Sequence, residues 1–467
     1  MPLFLSIQVP KGGPGKTATT HALSYAFAFR CLNVLVVDCD SQRDLTRAFF
    51  GETIENNHDF EYSQFLAAQV QPCTLWQSLQ PLLQPGNQQL NAPVPVQKMG
   101  EVTGSHGSLH VICGDQKTNN LGVKIGTAWS LSAVDSTKME LPGAPFKMIE
   151  RAAQAVRADV VILDLHPDLS PLNCMLLMSS DYFISPVEAD SPSLEAMWNL
   201  KDRIMSGEGG QAPEDRPWSQ LYREWVIKTQ NAVAGVGPWQ GRPLDLRGHQ
   251  VRDVYAKFMG VVMNKFPLSQ AGDFLQGVVT DVPSDAVCRW MSQQLLDAYR
   301  IAKEYQDPGN LGAPAPGAPL LQSLSRTFAV PQQHYDTRAD GTAYNDYLMR
   351  VIARVPHFGV LNSVSQENFV PVSHIASNDV SPADRTRVAR FRRIYDQLAY
   401  NILLLAYRDN PATVNHQLPA NRLGENPPMG GPPGHPRERF IAVNRNLLMH
   451  DPQPPAGSGN TADHWPL

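Results

Sequence analysis

Short apolar runs recur along the chain, and polar residues, glycine or proline interrupt them. Within a run the apolar positions are consecutive rather than alternating, which is typical of strands buried on both faces of a sheet. The runs predict strands at 3–9, 33–38, 109–113, 160–164, 182–187 and 258–264, and a further strand in part of 348–356.

Helical segments separate several of these strands. We predict helices at 16–30, at 146–157, from Ser191 onward, and from the capping-box-like S-P-A-D that begins at Ser381. The last helix has one apolar stripe at spacings of three and four, which faces a core: Val388, Phe391, Tyr395, Leu398, Ile402 and Leu405. The alternation of strands and helices predicts an α/β fold with a mostly parallel sheet flanked by helices.

Three segments exceed what a minimal domain of this kind needs, at about 51–145, 206–250 and 267–347. We interpret them as helical or loop insertions within one domain that spans 1–410. Residues 411–467 are dense in Pro, Gly and Asn and show little periodicity, so we predict a mostly disordered tail there.

The composition narrows the class of protein. A net charge of −5 over 467 residues gives no global attraction to nucleic acid, so such binding needs a local patch. The six cysteines form no CxxC pair, which argues against a zinc site or disulfide framework and favours a reduced, cytoplasmic setting. No apolar run approaches the ~18 residues that span a membrane, and the first residues lack the features of a signal peptide.

The strongest motif is KGGPGKT at 11–17, between a predicted strand and a predicted helix. Glycines let the backbone turn its N–H groups toward phosphate oxygens, and the helix adds its positive N-terminal end. The pattern predicts that Lys16 contacts the β- and γ-phosphates of ATP and that Thr17 offers its hydroxyl to Mg²⁺. The alternative is a glycine-rich turn that binds nothing. The expected binding residues are Gly12, Gly13, Gly15, Lys16, Thr17 and Ala18.

Carboxylates follow two of the predicted strands. VVDCDSQRDLT at 36–46 places Asp38 and Asp40 at one strand end, and ADVVILDLHPDLS at 158–170 places Asp164 at another. Carboxylates beside a phosphate loop hold the waters of a metal and orient an attacking water. The alternative is that such carboxylates cap the next helix, which we favour for Asp44. His166 is interpreted as a packing or hydrogen-bonding variant rather than a catalytic group.

The additional lysine, Lys11, makes KGGxGKT the signature of the ParA/MinD class of P-loop NTPases with a deviant Walker A motif, and the chain resembles that class. The resemblance implies that Lys11 reaches the phosphates on a partner chain in a nucleotide-sandwiched dimer; taken alone, it is a solvated lysine at a strand end. It also implies that Asp40 orients the attacking water, that Asp38 supports the metal, and that Asp164, in a D-x-x-P pattern, holds Mg²⁺ through water.

Weaker similarities to the class lie further along the chain. VVMNKF at 261–266 places Asn264 as an adenine contact, because an amide carries both a donor and an acceptor. ARVPHFGVL at 353–361 makes Pro356 a candidate contact in the base pocket. The class holds DNA without sequence preference through basic residues near its C-terminal helices, and Arg387, Arg390 and Arg393 are the candidates here. An ordinary solvated arginine face is an equal alternative.

By resemblance, the expected function is a slow, partner-stimulated ATPase that acts as an ATP-dependent dimerisation switch in plasmid or chromosome partition. ATP and Mg²⁺ are the implied cofactors. The implied partners are a second copy, nonspecific DNA of the nucleoid, and a ParB-like or cargo adaptor protein. No DNA-binding segment precedes the phosphate loop, as in the short ParA type, and the membrane-binding end helix of MinD is missing. Two alternatives stay open: a positioning ATPase for another cargo, and a scaffold that binds ATP without hydrolysing it.

Overall fold

One mostly parallel sheet organises the protein. A computed structural model describes residues 2–51, 59–69, 71–83, 90–98, 107–131, 139–188, 190–205, 217–246, 248–253, 256–266 and 351–410. In these ranges the strands are β1 (Leu3–Ile7), β2 (Asn33–Asp38), β3 (Val96–Gln97), β4 (Ser108–Ile112), β5 (Val160–Asp164), β6 (Tyr182–Glu188), β7 (Lys257–Phe266) and β8 (Val351–Pro356). They pair in the order β3-β4-β2-β5-β1-β6-β7-β8, with β3 antiparallel to β4. The predicted α/β class is confirmed.

Helices cover both faces of this sheet. One face carries α1 (Lys16–Phe29), α2 (Asp44–Phe50), α3 (Asp59–Ala68), α10 (Leu361–Glu367) and α11 (Pro382–Asp409). The other carries α4 (Leu75–Leu79), α5 (Thr118–Leu131), α6 (Ala144–Ala155), α7 (Pro171–Ser179), α8 (Ser191–Met205) and α9 (Trp218–Ala234). In β1, Phe4 belongs to one core, whereas Leu3, Leu5 and Ile7 belong to the other. The central strands are apolar throughout because both of their faces are covered.

The carboxyl ends of the central strands meet at one edge of the sheet. Ile7 of β1 and Asp38 of β2 both pair with Asp164 of β5 in the parallel register. Strand β1 lies between β5 on one side and β6 on the other. In open parallel sheets, ligands bind in the crevice beyond the strand ends at such a switch point. The loop after β1 is therefore placed beside both carboxylates.

The ends of the predicted strands agree with the structure to within about two residues, and residues 348–350 of the last prediction lie outside the described residues. The insertion predicted at 51–145 contains α3, α4, α5 and β3, in addition to the predicted strand β4. The insertion at 267–347 and the tail at 411–467 also lie outside the described residues.

Helix α9 occupies part of the segment at 206–250 that the sequence indicated as a polar insertion. Trp218, Tyr222 and Trp225 of this helix are buried, and Trp129 of α5 meets the Trp218 ring edge-on at a centroid distance of 5.1 Å. Their spacing of four and three is helical, so this part of the insertion is a helix rather than a loop. The helix ends at Gly235, whose φ of 65° is that of a left-handed helix stop.

Helix α11 begins and packs as predicted. The hydroxyl of Ser381 accepts a hydrogen bond from the backbone N–H of Asp384 at 3.2 Å, and all six residues of the predicted stripe are buried. At the other end, Asp409 accepts hydrogen bonds from Tyr182 and Lys257, both at 2.7 Å. Neither α11 nor any other described helix has the length and apolar character needed to cross a membrane.

Two histidines are buried among aromatic rings on the α11 side of the sheet. The ring centroid of His21 lies 5.4 Å from that of Tyr25 and 4.6 Å from that of Phe49. His374 packs against Tyr25 and Phe29, at 5.1 and 4.7 Å. Burial lowers the pKa of both imidazoles from 6.5 to about 3, because the charged form would lose its hydration.

We expect His21 and His374 each to contribute a fall in the free energy of unfolding as the pH drops below 6.5, because the unfolded chain takes up protons that the two folded imidazoles exclude. The loss is about 1.4 kcal/mol per pH unit for each histidine. His21→Leu should remove one histidine's share of this slope, measured by denaturant unfolding between about pH 7 and about pH 5. The same change at the exposed His357 is the control. An unchanged slope in His21→Leu would contradict a buried neutral imidazole.

Candidate functional site

The loop after β1 has a backbone conformation that glycine adopts without strain. Gly13 and Gly15 have φ angles of 87° and 89°, in the left-handed region. Gly12 and Gly13 are exposed, and a Cβ on either would meet no atom within 4 Å. Helix α1 begins directly after Gly15, and Ala18 lies in its first turn. An open loop thus leads into a helix N-terminus, which favours anions.

Asn264 of β7 braces this loop. Its Nδ2 donates to the carbonyl oxygen of Pro14 at 2.7 Å and to Thr19 Oγ1 at 3.2 Å. Its Oδ1 is buried and has no hydrogen-bond partner among the described residues. A buried acceptor without a donor is costly, and the amino group of adenine is a donor that would satisfy it. The adenine contact of Asn264 stays a prediction, whereas its bond to the loop is a role that sequence reasoning missed.

Lys16 is buried, with 7% of its surface exposed, although it carries a charge. Its Nζ donates to the carbonyl oxygen of Lys11 at 3.0 Å, within the same loop. Burial lowers the pKa of the Lys16 ammonium, and the Asp164 and Asp40 carboxylates oppose this by raising it. The structure therefore places this ammonium over the loop, next to the carboxylates of two strands.

Asp164 is held by two hydroxyls of helix α1. Thr17 Oγ1 donates to its Oδ2 and Thr20 Oγ1 to its Oδ1, each at 3.0 Å. Burial raises the pKa of Asp164 to about 7, although Lys16 and the two threonines lower it. Thr20 was missed by sequence reasoning. The signal was its position one helical turn after Thr17, which puts both hydroxyls on one face.

Asp38 caps helix α2 from a distance. Its Oδ2 accepts hydrogen bonds from the N–H of Thr46 at 2.8 Å and from Thr46 Oγ1 at 2.6 Å, and its Oδ1 accepts one from the N–H of Asp40 at 3.1 Å. Burial and the nearby Asp164 raise its pKa to about 8. Asp44 lies in the first turn of α2, and the N-cap residue Arg43 makes no side-chain capping bond. The capping hydrogen bond to the N–H of Thr46 comes from Asp38. The part of Asp38 in metal binding stays a prediction.

The donor set fits Mg²⁺ only together with phosphates. No group of three or more His, Cys, Asp or Glu side chains, in the ranges that the structure describes, could hold a metal ion alone. Magnesium is commonly bound through one or two protein oxygens, water and the phosphates of its nucleotide. Thr17 and Asp164, which lie 3.0 Å apart through their oxygens, supply such a partial set.

Lys11, the signature lysine, is bound within its own chain. Its Nζ donates to Asp190 Oδ2 at 2.7 Å and to Ser193 Oγ at 3.0 Å. The side chains of Lys11 and Asp190 are 20% and 36% exposed. Asp190 is a partner that sequence reasoning missed, because it lies 179 positions away.

Asp40 lies at the same edge, 8% exposed. Its Oδ1 accepts a hydrogen bond from the N–H of Gln42 at 2.8 Å and lies 3.5 Å from His166 Nε2. The other ring nitrogen of His166 lies 3.2 Å from Asp168 Oδ2. The neighbouring Asp168 carboxylate is the main cause that raises the pKa of His166. The structure thus brings Asp40, His166 and Asp168 together.

The remaining predicted residues are Pro356 in β8 and the three arginines of α11. Pro356 ends β8, is buried, and pairs with Phe266 of β7. On α11, Arg387 donates to Asp384 Oδ1 at 2.8 Å and to the carbonyl oxygen of Phe358 at 3.0 Å. Arg390 is half-buried and Arg393 is exposed. Arg387 therefore has a structural task beside any contact with DNA.

Gly15→Ala should destabilise the protein more than Gly13→Ala. Both changes put a side chain at a left-handed φ, which costs about 1–2 kcal/mol. Only at Gly15 would the new Cβ lie 2.7 Å from Asn264 Nδ2. Denaturant unfolding of the two variants measures the difference. In an Asn264→Ala background the two costs should converge, and a persistent gap would show that this contact is not its cause.

The known proteins that resemble this chain do so at low identity. Residues 4–206 match a family model described as an AAA domain. Protein DIP2308 from Corynebacterium diphtheriae is 16% identical, with a TM-score of 0.46, over 88% of this chain and 99% of that chain. The structure of pNOB8 ParA bound to nonspecific DNA is 15% identical, with a TM-score of 0.43, over 88% and 100%. No curated protein matches.

A third solved structure is cobyrinic acid a,c-diamide synthase from Mycobacterium smegmatis with bound ADP and magnesium. It is 14% identical, with a TM-score of 0.34, over 64% of this chain and 81% of that chain. Similarity at this level does not indicate which ligands this chain binds. The family match, in contrast, includes the phosphate loop, α1 and the strands that bear Asp38 and Asp164. Over residues 4–206, which hold these segments, the chain is similar to that AAA domain family.

Proposed function

We propose that the protein binds ATP with Mg²⁺, hydrolyses it slowly, and uses the ATP-bound state as a dimerisation switch in DNA partition. The observation that carries this proposal is the buried Lys16, held over an open glycine loop at the start of α1. Burying an ammonium costs free energy unless an anion compensates it. Asp164 and Asp40 offset part of that cost, and the open space at Gly12 and Gly13 leaves room for a phosphate ligand.

Thr17 and Asp164 are the residues that would hold Mg²⁺, the hydroxyl directly and the carboxylate through water. The ion, when bound, neutralises charge on the β- and γ-phosphates. Lys16 adds a second positive charge from the protein side. Asn264 Oδ1, the buried acceptor that no described donor reaches, would receive the adenine amino group.

Asp40 is the residue proposed to orient the attacking water. In hydrolysis the water oxygen bonds to the γ-phosphorus, and the bond from that phosphorus to the β–γ bridging oxygen breaks. ADP and inorganic phosphate leave, and one proton passes to solvent. Asp40 is nearly buried and close enough to Lys16 to raise its pKa, so it can accept a hydrogen bond from water beside the phosphates.

Lys11 would act on a second copy of the chain. Its ion pair with Asp190 is partly exposed, and pairs of this kind contribute only about 0–1 kcal/mol. Lys11 can therefore exchange Asp190 for phosphate oxygens at low cost. The open space above Gly12 and Gly13 leaves room for that approach.

The partition role requires DNA and an adaptor protein. The proposed DNA surface is the arginine face of α11, which carries Arg387, Arg390 and the exposed Arg393. A ParB-like or cargo adaptor would stimulate hydrolysis and release the dimer. Positioning of another cargo would use the same switch without DNA.

Lys16→Ala should abolish binding of a fluorescent ATP analogue, because it removes the charge beside the phosphates. Lys11→Ala is the matched control, since it removes the same charge from the same loop. It should bind the analogue but form no ATP-dependent dimer in light scattering, and it should release little phosphate from ATP.

Equal affinities of wild type and Lys16→Ala would refute the nucleotide site. Equal dimer fractions of wild type and Lys11→Ala would leave Lys11 as an ordinary partner of Asp190. If wild-type protein binds ATP but releases no phosphate, with DNA and adaptor present, the switch hypothesis is rejected in favour of the scaffold that binds ATP without hydrolysing it.

Changing Arg390 and Arg393 to Gln should weaken ATP-dependent binding to any DNA duplex. The slope of log affinity against log salt should flatten by about one unit for each DNA phosphate that the variant no longer neutralises. Arg387→Gln is the comparison variant: it should lower thermal stability, because Arg387 holds Asp384 and the Phe358 carbonyl. Titrations of DNA at several salt concentrations give the slope, and an unchanged slope in the double variant would exclude this face of α11.

A further inference from the structure

His166 lies between two carboxylates at the edge that carries the phosphate loop. It follows Asp164 by two positions, in the loop between β5 and α7. Its Nε2 is 3.5 Å from Asp40 Oδ1 and its Nδ1 is 3.2 Å from Asp168 Oδ2. Each ring nitrogen of His166 thus lies within ion-pair distance of a carboxylate, one on either side of the ring.

The Asp168 side of this arrangement is firmly held. Asp168 Oδ1 accepts hydrogen bonds from the N–H of Ser170 at 3.1 Å and from Asn173 Nδ2. The carbonyl oxygen of Asp168 accepts another from Gln8 Nε2 at 2.8 Å. Gln8 follows β1 and Asn173 lies in α7. The loop that carries His166 is thus fastened to two regular elements, one of which leads into the phosphate loop.

The Asp40 carboxylate is held through only one of its two oxygens, Oδ1. Oδ1 faces both the N–H of Gln42 and the ring of His166. Oδ2 makes no hydrogen bond within the described part of the chain. A carboxylate fixed by one oxygen presents the other in a defined direction, which is what orientation of a water requires.

We propose that His166 is a positioning residue for ATP hydrolysis, which holds Asp40 through Oδ1 so that Oδ2 receives the attacking water. His166 itself touches neither ATP nor the water. Asp168 fixes the ring, the ring fixes Asp40, and Asp40 meets the water. This inference rests on the proposed hydrolysis of ATP.

The test compares wild type, His166→Leu, His166→Gln, Asp40→Asn and the double variant of His166→Leu with Asp40→Asn. Phosphate release over a range of ATP concentrations gives kcat and KM, and a fluorescent analogue gives the nucleotide affinity. His166→Leu should lower kcat by roughly 10- to 100-fold, the cost of a misplaced catalytic group, and leave the nucleotide affinity unchanged. His166→Gln should recover part of the rate, because its amide can still donate to Asp40.

The double variant separates positioning from general stability. If His166 acts through Asp40, His166→Leu should have no further effect on kcat in the Asp40→Asn background, whereas independent effects would multiply. Asp168→Asn, which loosens the ring from its other side, should lower kcat in the same direction and replaces His166→Leu if that variant does not fold.

An unchanged kcat in His166→Leu, a parallel loss of nucleotide affinity, or multiplying effects in the double variant would overturn the positioning role. Wild-type protein without turnover would instead overturn the proposed hydrolysis, and the positioning role with it.

Discussion

Asp38 and Asp164 lie side by side at the ends of β2 and β5, and only 2% and 1% of their surfaces are exposed. Burial deprives both carboxylates of water and raises their pKa values to about 8 and about 7, and the charge of Asp164 raises the pKa of Asp38 further. The surroundings compensate with donors: Thr17 and Thr20 from α1, Thr46 from α2, and the ammonium of Lys16. Both helices must therefore begin where their hydroxyls reach the strand ends.

The need to surround the Asp38 carboxylate closely also constrains the residue that follows β4. Gly114 follows β4, and a Cβ there would lie 2.8 Å from Asp38 Oδ2. Its N–H donates to Thr46 Oγ1 at 2.8 Å, which in turn donates to Asp38. The acidic edge is thus built from three parallel strands and two helix starts. A site with two buried carboxyl groups beside a single buried lysine is suited to a cation that arrives together with phosphates.

Several arginines of α11 stabilise the fold through hydrogen bonds to backbone carbonyl oxygens. Arg385, Arg387 and Arg392 donate to the carbonyl oxygens of Ser377, Phe358 and Ser373. These contacts fasten the segment before α11 onto the helix. An arginine stripe in a chain of net charge −5 is therefore explained in part by packing. The test of the DNA proposal uses Arg390 and Arg393 of the same helix.

Local pattern was enough to predict the strands, the phosphate loop and the buried stripe of α11. Consecutive apolar residues indicate a strand buried on both faces, and glycines before Lys16 and Thr17 indicate a loop with left-handed φ, whatever lies elsewhere in the chain. Contacts between distant segments were not predictable. Asn264 braces Pro14 across 250 positions and Lys11 pairs with Asp190 across 179, while His166 meets Asp40 only because β2 and β5 are neighbours. Such contacts depend on strand order and register, which the tertiary structure alone decides because no short segment encodes them.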